Sequence, residues 1–512
     1  MMDKLKFNKI IFLDMTLSSW LMILKYNAVL MTIIMALSSC KNDKTSEKSI
    51  LLYCAAGVKP VVEIVAKEYY EEFGIRVDLQ YGGSGTLLSN LRIARQGDLY
   101  LAADKSYIDE AIRFGLIQET QPLAFIKPVI GVAKGNPKKI FKIEDLYNED
   151  IKVAIANPDA ASIGRLTKEM LINSGHWERL EKNITVSMPT VNEVANSIKL
   201  GSADVGIIWD ATANQYDEIE IISSPIFNTY IKNITIGVLS YSTQPTEALK
   251  FIRYLSAKNK GLPTFDKLGY QPVKGDLWEK KIRLLLYSGG VNRLAIDNTI
   301  QKFEAREGIE VIRVYNGCGI LVSQIKAGQR PDAYISCDVS FMSQVEDLFG
   351  DITNISNTAI VIATKKGNPK NIHSLADLSQ EGLQIGICNH DQSALGSLTK
   401  NLLENLGIWD SVYKNVRSQT PTADLLVNQI RTGSLDAVIV YEANIAKLKD
   451  KLEIIELNEK QAIALQNFGI SLNSNYHYLV KRLLQALTDE NSRINYLEHG
   501  FHWEYNKPDP DQ

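Results

Sequence analysis

The chain has 512 residues, more than one hydrophobic core normally organises, so two or more domains are expected. Hydrophobic residues at 45%, charged residues at 22% and a formal net charge of −3 exclude disordered, fibrous and membrane-spanning material as the bulk of the protein. Lys plus Arg (56) do not outnumber Asp plus Glu (59), so there is no basic excess to recruit nucleic acid.

Residues 1–39 read as a lipoprotein-type signal peptide. Lys25 precedes an apolar run over residues 26–37 that is too short to span a bilayer stably, and Leu37-Ser38-Ser39-Cys40 offers small residues before a cysteine to be acylated after cleavage. The competing reading is a short membrane anchor. Residues 1–21 do not share this logic, and Met22 would make a more ordinary start. Residues 40–48 form a polar tether. The mature protein is therefore expected outside the cytoplasm, on a membrane by its lipid alone. Of five cysteines, Cys54, Cys318, Cys337 and Cys388 remain once Cys40 is lipidated, and their spacing is not a disulfide framework.

Beyond the tether, strand and helix patterns alternate. Residues 49–54 form a short apolar strand, 61–73 have helical spacing, 76–81 are extended, 87–95 helical and 99–102 a strand. Asp104 stands where the N-cap of a helix over 105–114 belongs. Such alternation builds an α/β fold with a mostly parallel sheet and helices on both faces, and ligands bind at the strands' C-terminal ends beside helix N-termini.

The whole pattern then recurs. Tyr81-Gly82-Gly83-Ser84-Gly85 returns 234 residues later as Tyr315-Asn316-Gly317-Cys318-Gly319, with Asp98 and Asp104 matched by Asp332 and Asp338. At a spacing of 232, Gly135-Asn136-Pro137-Lys138 matches Gly367-Asn368-Pro369-Lys370, and residues 151–184 match 383–416 at 13 of 34 positions. Two tandem modules follow, 48–272 and 282–503, with a linker at 273–281 and a tail at 504–512. The linker is short enough that the modules should touch.

Three glycine-bearing strand-to-helix turns in each copy can aim backbone N–H groups at one point: Ala55-Ala56-Gly57, Gly82-Gly83-Ser84-Gly85, and 157–164 with its counterpart 389–396. Glycine admits close backbone approach, and the positive end of a helix dipole favours an anion without a charged side chain.

On these residues, together with Asp98-Leu99-Tyr100-Leu101-Ala102-Ala103-Asp104 and Gly201-Ser202-Ala203-Asp204-Val205-Gly206-Ile207-Ile208-Trp209, both copies resemble the molybdate- and tungstate-binding periplasmic proteins of ABC importers, in the type II periplasmic binding protein superfamily. The resemblance implies two tandem type II modules, each of two α/β lobes with a hinge, the lobes joined by crossing strands near residues 128–133 and 358–363. It implies a solute-binding lipoprotein for a small, molybdate-like oxyanion, with an ABC permease as partner, no catalytic activity and no cofactor. The ligand positions it implies are Gly57, Ser84, Gly85, Ser162, Val191 and Trp209 in the first copy. In the second they are Gly290 or Val291, Cys318, Gly319, Ala394, Ala423 and Tyr441. The sequence departs from the family where Gly57 replaces a serine, Cys318 replaces a second serine and Trp209 replaces the tyrosine kept as Tyr441. A thiol is a weaker donor than a hydroxyl, and an indole N–H donates but does not accept.

Other readings compete. Cys318, Cys388, His390 and Asp391 fall in or near turns and could hold a soft metal in the second copy, although their spacing is no metal signature. The recurring carboxylates Asp98, Asp104, Asp159 and Asp204 could suggest an enzyme, but caps and turns explain them and no histidine is shared by both copies. A sensor or structural lipoprotein on the same fold is a further alternative. Trp177 and Trp409, matched across the copies, read as core.

Overall fold

The computed structural model describes residues 49–506. The segments expected to be signal peptide and tether, with the expected lipidation site Cys40, and the end of the tail lie outside the described residues.

In the first module the strands are β1 (Ser49–Ala55), β2 (Arg76–Gly82), β3 (Leu99–Ala102), β4 (Ile117–Ile126), β5 (Pro128–Ala133), β6 (Val153–Ala156), β7 (Ile184–Met188), β8 (Val205–Trp209), β9 (Ile219–Ile222), β10 (Lys232–Leu239) and β11 (Gln271–Pro272). They form two sheets, one per lobe, ordered β11-β4-β10-β3-β1-β2 and β7-β6-β8-β5-β9. The parallel part is β1, β2 and β3 in one lobe and β6, β7 and β8 in the other. The sheets are more mixed than strand–helix alternation suggests, because β4, β5 and β10 lie on the two passages between lobes and β5 and β10 meet the parallel strands antiparallel.

The second module repeats this with β12 (Arg283–Gly289), β13 (Glu310–Asn316), β14 (Ala333–Ile335), β15 (Phe349–Lys365), β16 (Ile385–Cys388), β17 (Val416–Thr420), β18 (Ala437–Tyr441), β19 (Leu452–Glu456), β20 (Ile463–Ser471) and β21 (His502–Trp503). Here the crossing is unbroken. The 17-residue β15 replaces β4 and β5 and joins both lobes into one sheet ordered β13-β12-β14-β20-β15-β18-β16-β17. In the first module Pro128 interrupts the passage, since proline has no N–H to give the ladder. Ile360 stands in its place, paired with Tyr441 as Pro128 is with Trp209, and Thr358 just before it ties the hinge: its hydroxyl donates to the Gly500 carbonyl and accepts the Ala443 N–H, both at 3.2 Å.

Scaffold chemistry repeats closely. Helix Lys59–Phe73 buries Val61, Val62, Val65, Ala66 and Tyr69, and helix Arg293–Glu307 buries Ala295, Ile296, Thr299, Ile300 and Phe303, the same five positions one repeat later. Both helices end at a glycine in the left-handed region, Gly74 (φ 65°) and Gly308 (φ 67°). The recurring carboxylates hold backbone. Asp98 and Asp332 accept the amides of Leu51 (3.0 Å) and Leu285 (2.8 Å), Asp204 and Asp436 those of Lys152 (2.9 Å) and Gln384 (3.0 Å), and Asp104 and Asp338 cap helices. Each is spent on structure, which accounts for its recurrence without catalysis. Trp177 is buried and Trp409 half-buried, each beneath the lysine of its Leu-Thr-Lys turn, Lys168 at 5.5 Å and Lys400 at 5.7 Å from the ring centre.

The modules meet through their first lobes. Helix Pro245–Leu255 and β4 of the first pack on helices Arg293–Glu307 and His477–Leu487 of the second. At the centre Glu307, 1% exposed, takes hydrogen bonds from Arg253 of the first module and Arg482 of the second, and Arg482 also donates to Gln121 at 2.7 Å. Burial alone would raise the Glu307 pKa, but the two guanidiniums hold it below the ordinary carboxylate range. Arg306 adds a forked pair to Glu119 at 2.8 and 3.0 Å. The linker contributes Asp276, whose carboxylate accepts the Tyr478 and Leu479 amides at 2.9 Å and so caps the helix His477–Leu487.

Candidate functional site

Each module encloses a small cavity between its lobes. The first, about 10 Å³, brings together Gly57, Ser84, Ser162, Val191 and Trp209. The second, about 20 Å³, brings together Gly290, Val291, Ala423 and Tyr441. The local reason is shared: strands end, the chain turns tightly, and a helix starts with its N-terminus facing the gap. Helices Ser84–Ala94, Ser162–Asn173 and Val191–Lys199 do this in the first module, and Cys318–Lys326, Ala394–Asn405 and Ala423–Arg431 in the second. Helix dipole ends from both lobes thus converge, and neither cavity is lined by a lysine or arginine. The first lining can hold a small anion by donors alone, whereas the second also carries the Asp424 carboxylate.

The structure also settles which turn residue matches Gly57. Ala56–Val58 and Gly290–Asn292 are equivalent 3-10 turns, so the counterpart of Gly57 is Val291.

Other expected residues sit elsewhere. Gly85 and Gly319 do not line the cavities; their amides cross the cleft to the Ala160 carbonyl (3.0 Å) and the Gln392 carbonyl (3.1 Å) of the opposite lobe. A Cβ on Gly83 would lie 2.2 Å from the Ala160 oxygen, and one on Gly317 2.2 Å from the Gln392 oxygen. These glycines let lobe approach lobe, and backbone carbonyls take amides that sequence reasoning gave to a ligand. Ala394 stands behind Ser393 and Leu395, which do line the second cavity. Cys318 lies beneath it with its sulfur accepting the Cys337 amide at 3.0 Å, as the Ser84 hydroxyl accepts the Ala103 amide at 3.3 Å. The serine-to-cysteine change therefore keeps the anchoring contact at this position.

Cys318 neighbours Cys337, whereas Cys388 lies by Thr420 at 3.9 Å and His390 by Asp391 and Trp409. Among the described residues no group of three or more His, Cys, Asp or Glu side chains could hold a metal ion. Burial raises the Cys388 thiol to about 12, which keeps it protonated.

Sequence reasoning missed Thr190, Thr422, Ser393, Asp424 and Asn444 in the linings. Thr190 was legible as the first residue of a capping box, Thr-x-x-Glu with Glu193, which the structure forms in full. Asp424 stands at the exposed rim, accepting from the Asn444 amide at 3.1 Å.

Two α/β lobes hinged around a donor-lined cavity, built twice in one chain, define the class of two-lobed solute-binding proteins. The chain belongs to the bacterial extracellular solute-binding protein family, whose model matches residues 50–271 and again 284–502. Each repeat is thus matched separately by the family model. A binding protein of Haemophilus influenzae is 26% identical over 226 residues, 44% of this chain and 91% of that one. The ABC transporter substrate-binding lipoprotein YvgL of Bacillus subtilis is 22% identical over 239 residues, 46% of this chain and 91% of its own. The molybdate-binding protein ModA of Escherichia coli is 22% identical over 190 residues, covering 36% and 74%. Among solved structures, the molybdate-binding protein of Azotobacter vinelandii is 16% identical with a TM-score of 0.37, covering 43% of this chain and 98% of that one. No helix among the described residues is long and apolar enough to cross a membrane.

Proposed function

We propose that the protein is a lipid-anchored extracytoplasmic receptor that captures a small molybdate-like oxyanion and presents it to an ABC permease. The observation that carries this reading is the lining itself: helix N-termini from both lobes and hydroxyls, with no cationic side chain, at the gap between the lobes. A tetrahedral oxyanion has acceptors only, and a site made of donors matches it without the desolvation cost of burying a lysine or arginine. Relatives named for molybdate binding and as a substrate-binding lipoprotein support the ligand class and the anchor. Cys40 is the acylated residue in this account, and the lipid is the only membrane attachment.

Calorimetry and thermal unfolding with molybdate, tungstate, sulfate and phosphate test it. A bound ligand at a hundred times its Kd stabilises the protein by roughly 2.7 kcal/mol. Absence of both heat and thermal shift with all four contradicts the oxyanion reading.

A further inference from the structure

Three buried positions in the first lobe change together between the modules. The first module has Ala55 at the end of β1, Ser84 at the start of helix Ser84–Ala94, and Ala103 just after β3. The second has Gly289 at the end of β12, Cys318 at the start of helix Cys318–Lys326, and Cys337 just after β14. Strand register fixes the match, since Ala55 pairs with Gly82 as Gly289 pairs with Asn316. So does the shared contact in which the Ala103 amide reaches Ser84 and the Cys337 amide reaches Cys318.

The three changes compensate in volume. A Cβ on Gly289 would lie 2.1 Å from the Cys337 sulfur and 2.9 Å from the Cys318 sulfur, so the space that Ala55 fills with its methyl is taken by two sulfurs. The Gly289 backbone, at φ −56°, is one that any residue adopts, so the glycine is there for room and not for conformation. Both cysteines are free thiols in this structure, and Cys337 borders the cavity. Burial pushes the Cys318 thiol up, but the Cys337 thiol and amide and the Tyr334 hydroxyl around it outweigh burial and hold it below the ordinary thiol value. That favours the thiolate, the form that attacks a disulfide. Cys54 and Cys388 have no such neighbour: the Cys54 thiol donates to the Ala55 carbonyl at 3.5 Å and Cys388 lies by Thr420.

We propose that Cys318 and Cys337 form a dithiol–disulfide site, in the second module alone, which is oxidised by exchange with a protein or small-molecule disulfide. One thiol attacks a sulfur of the incoming disulfide and releases the first thiol product. The other then attacks the mixed disulfide and releases the second. Two cysteine thiols are oxidised, one disulfide is reduced, and the two protons pass to the departing sulfurs. In the cell the site needs the oxidising compartment that the extracytoplasmic reading supplies. The bond closes a loop across a sequence separation of 19 and ties the start of helix Cys318–Lys326 to the end of β14, under the second cavity.

The test refolds the full chain from urea in a buffer of oxidised and reduced glutathione, so that burial is no barrier, with a parallel sample in dithiothreitol. Alkylation and peptide mapping should show Cys318 joined to Cys337, with Cys54 and Cys388 alkylated. The oxidised chain should melt roughly 5–10 °C above the reduced one. In dithiothreitol Cys318→Ser should melt close to the parent, because its hydroxyl can take the Cys337 amide, and in the glutathione buffer it should show no gain. The triple variant Gly289→Ala/Cys318→Ser/Cys337→Ala, which restores the first module's set, should fold and melt alike in both buffers. Cys318 and Cys337 both alkylated after refolding in glutathione would make the three changes mere repacking and overturn the proposal. A disulfide to Cys54 or Cys388, or a triple variant that still gains stability on oxidation, overturns it as well. No arm uses an oxyanion or a membrane, so its failure leaves the proposed function standing.

Discussion

The two modules share a backbone plan and differ at the gap between their lobes. Asp98 and Asp332, the five-residue helix faces, and the left-handed Gly74 and Gly308 are repeated because any change there would break a strand end or a cap. Around the cavities the pairs are Gly57 and Val291, Val58 and Asn292, Trp209 and Tyr441. The hinge differs too, broken at Pro128 in one module and carried by an unbroken β15 in the other. After duplication, then, the framework stayed under the constraint of packing and the clefts did not stay under a common constraint. The Tyr441 hydroxyl in the second and the Thr212 hydroxyl beside Gly57 in the first are both buried without a protein partner.

The largest expected effect concerns the contact that makes the two modules one unit. In the second module Glu307 and Arg482 form a buried ion pair, whereas their counterparts in the first, Phe73 and Lys250, meet as a cation over a ring at 4.1 Å. Glu307→Ala leaves two guanidiniums buried without a counter-charge and should cost about 3–5 kcal/mol. Phe73→Ala should cost less, because Phe73 is only half-buried. Denaturant unfolding of both variants gives the ratio. The pH dependence has a definite sign: the Glu307 carboxyl is depressed in the folded chain, so its stabilisation is full above the unfolded value of about 4.3 and is lost as pH falls toward the folded value. Acid titration should therefore weaken module docking.

Next in size are the glycines at lobe contact. Gly317→Ala drives a methyl toward the Gln392 and Pro421 carbonyls and should impede closure of the second cleft by about 1–3 kcal/mol, a loss of affinity from several-fold to hundredfold. Gly83→Ala applies the same clash to the first cleft and should appear as lost thermal stability. Ligand titration of the two variants shows which cleft must close for binding, and unchanged affinity in both contradicts a role for lobe closure.

The smallest expected change is Cys318→Ser, which restores the chemistry of Ser84. The hydroxyl can accept the Cys337 amide as the thiol does, so stability should move by less than about 1 kcal/mol and affinity by only a few-fold. A collapse of binding would make the thiol itself a ligand contact.

The tandem duplication, the α/β alternation and the passages near residues 128 and 358 were legible in the sequence, because each follows from periodicity or from a repeated string. The cavity glycines were only half legible. A glycine-rich turn before a helix signals close approach of something, and the string does not say whether that is a ligand or the opposite lobe's carbonyl, as at Gly85 and Gly319. The match of Gly57 to Val291 rather than Gly290 needed coordinates, since adjacent small residues slide by one without changing the pattern. The Arg253–Glu307–Arg482 cluster was invisible: its members are far apart in sequence, and charge alone marks them as surface. The orphaned Tyr441 hydroxyl was likewise beyond sequence, because a missing partner is a property of packing.

The most direct measurement is the anomalous signal of tungstate bound to crystals of the full chain. The account predicts a heavy-atom site at the gap between two lobes, beside the starts of the helices that face it. Crystals soaked in tungstate that show no site at either gap would contradict it.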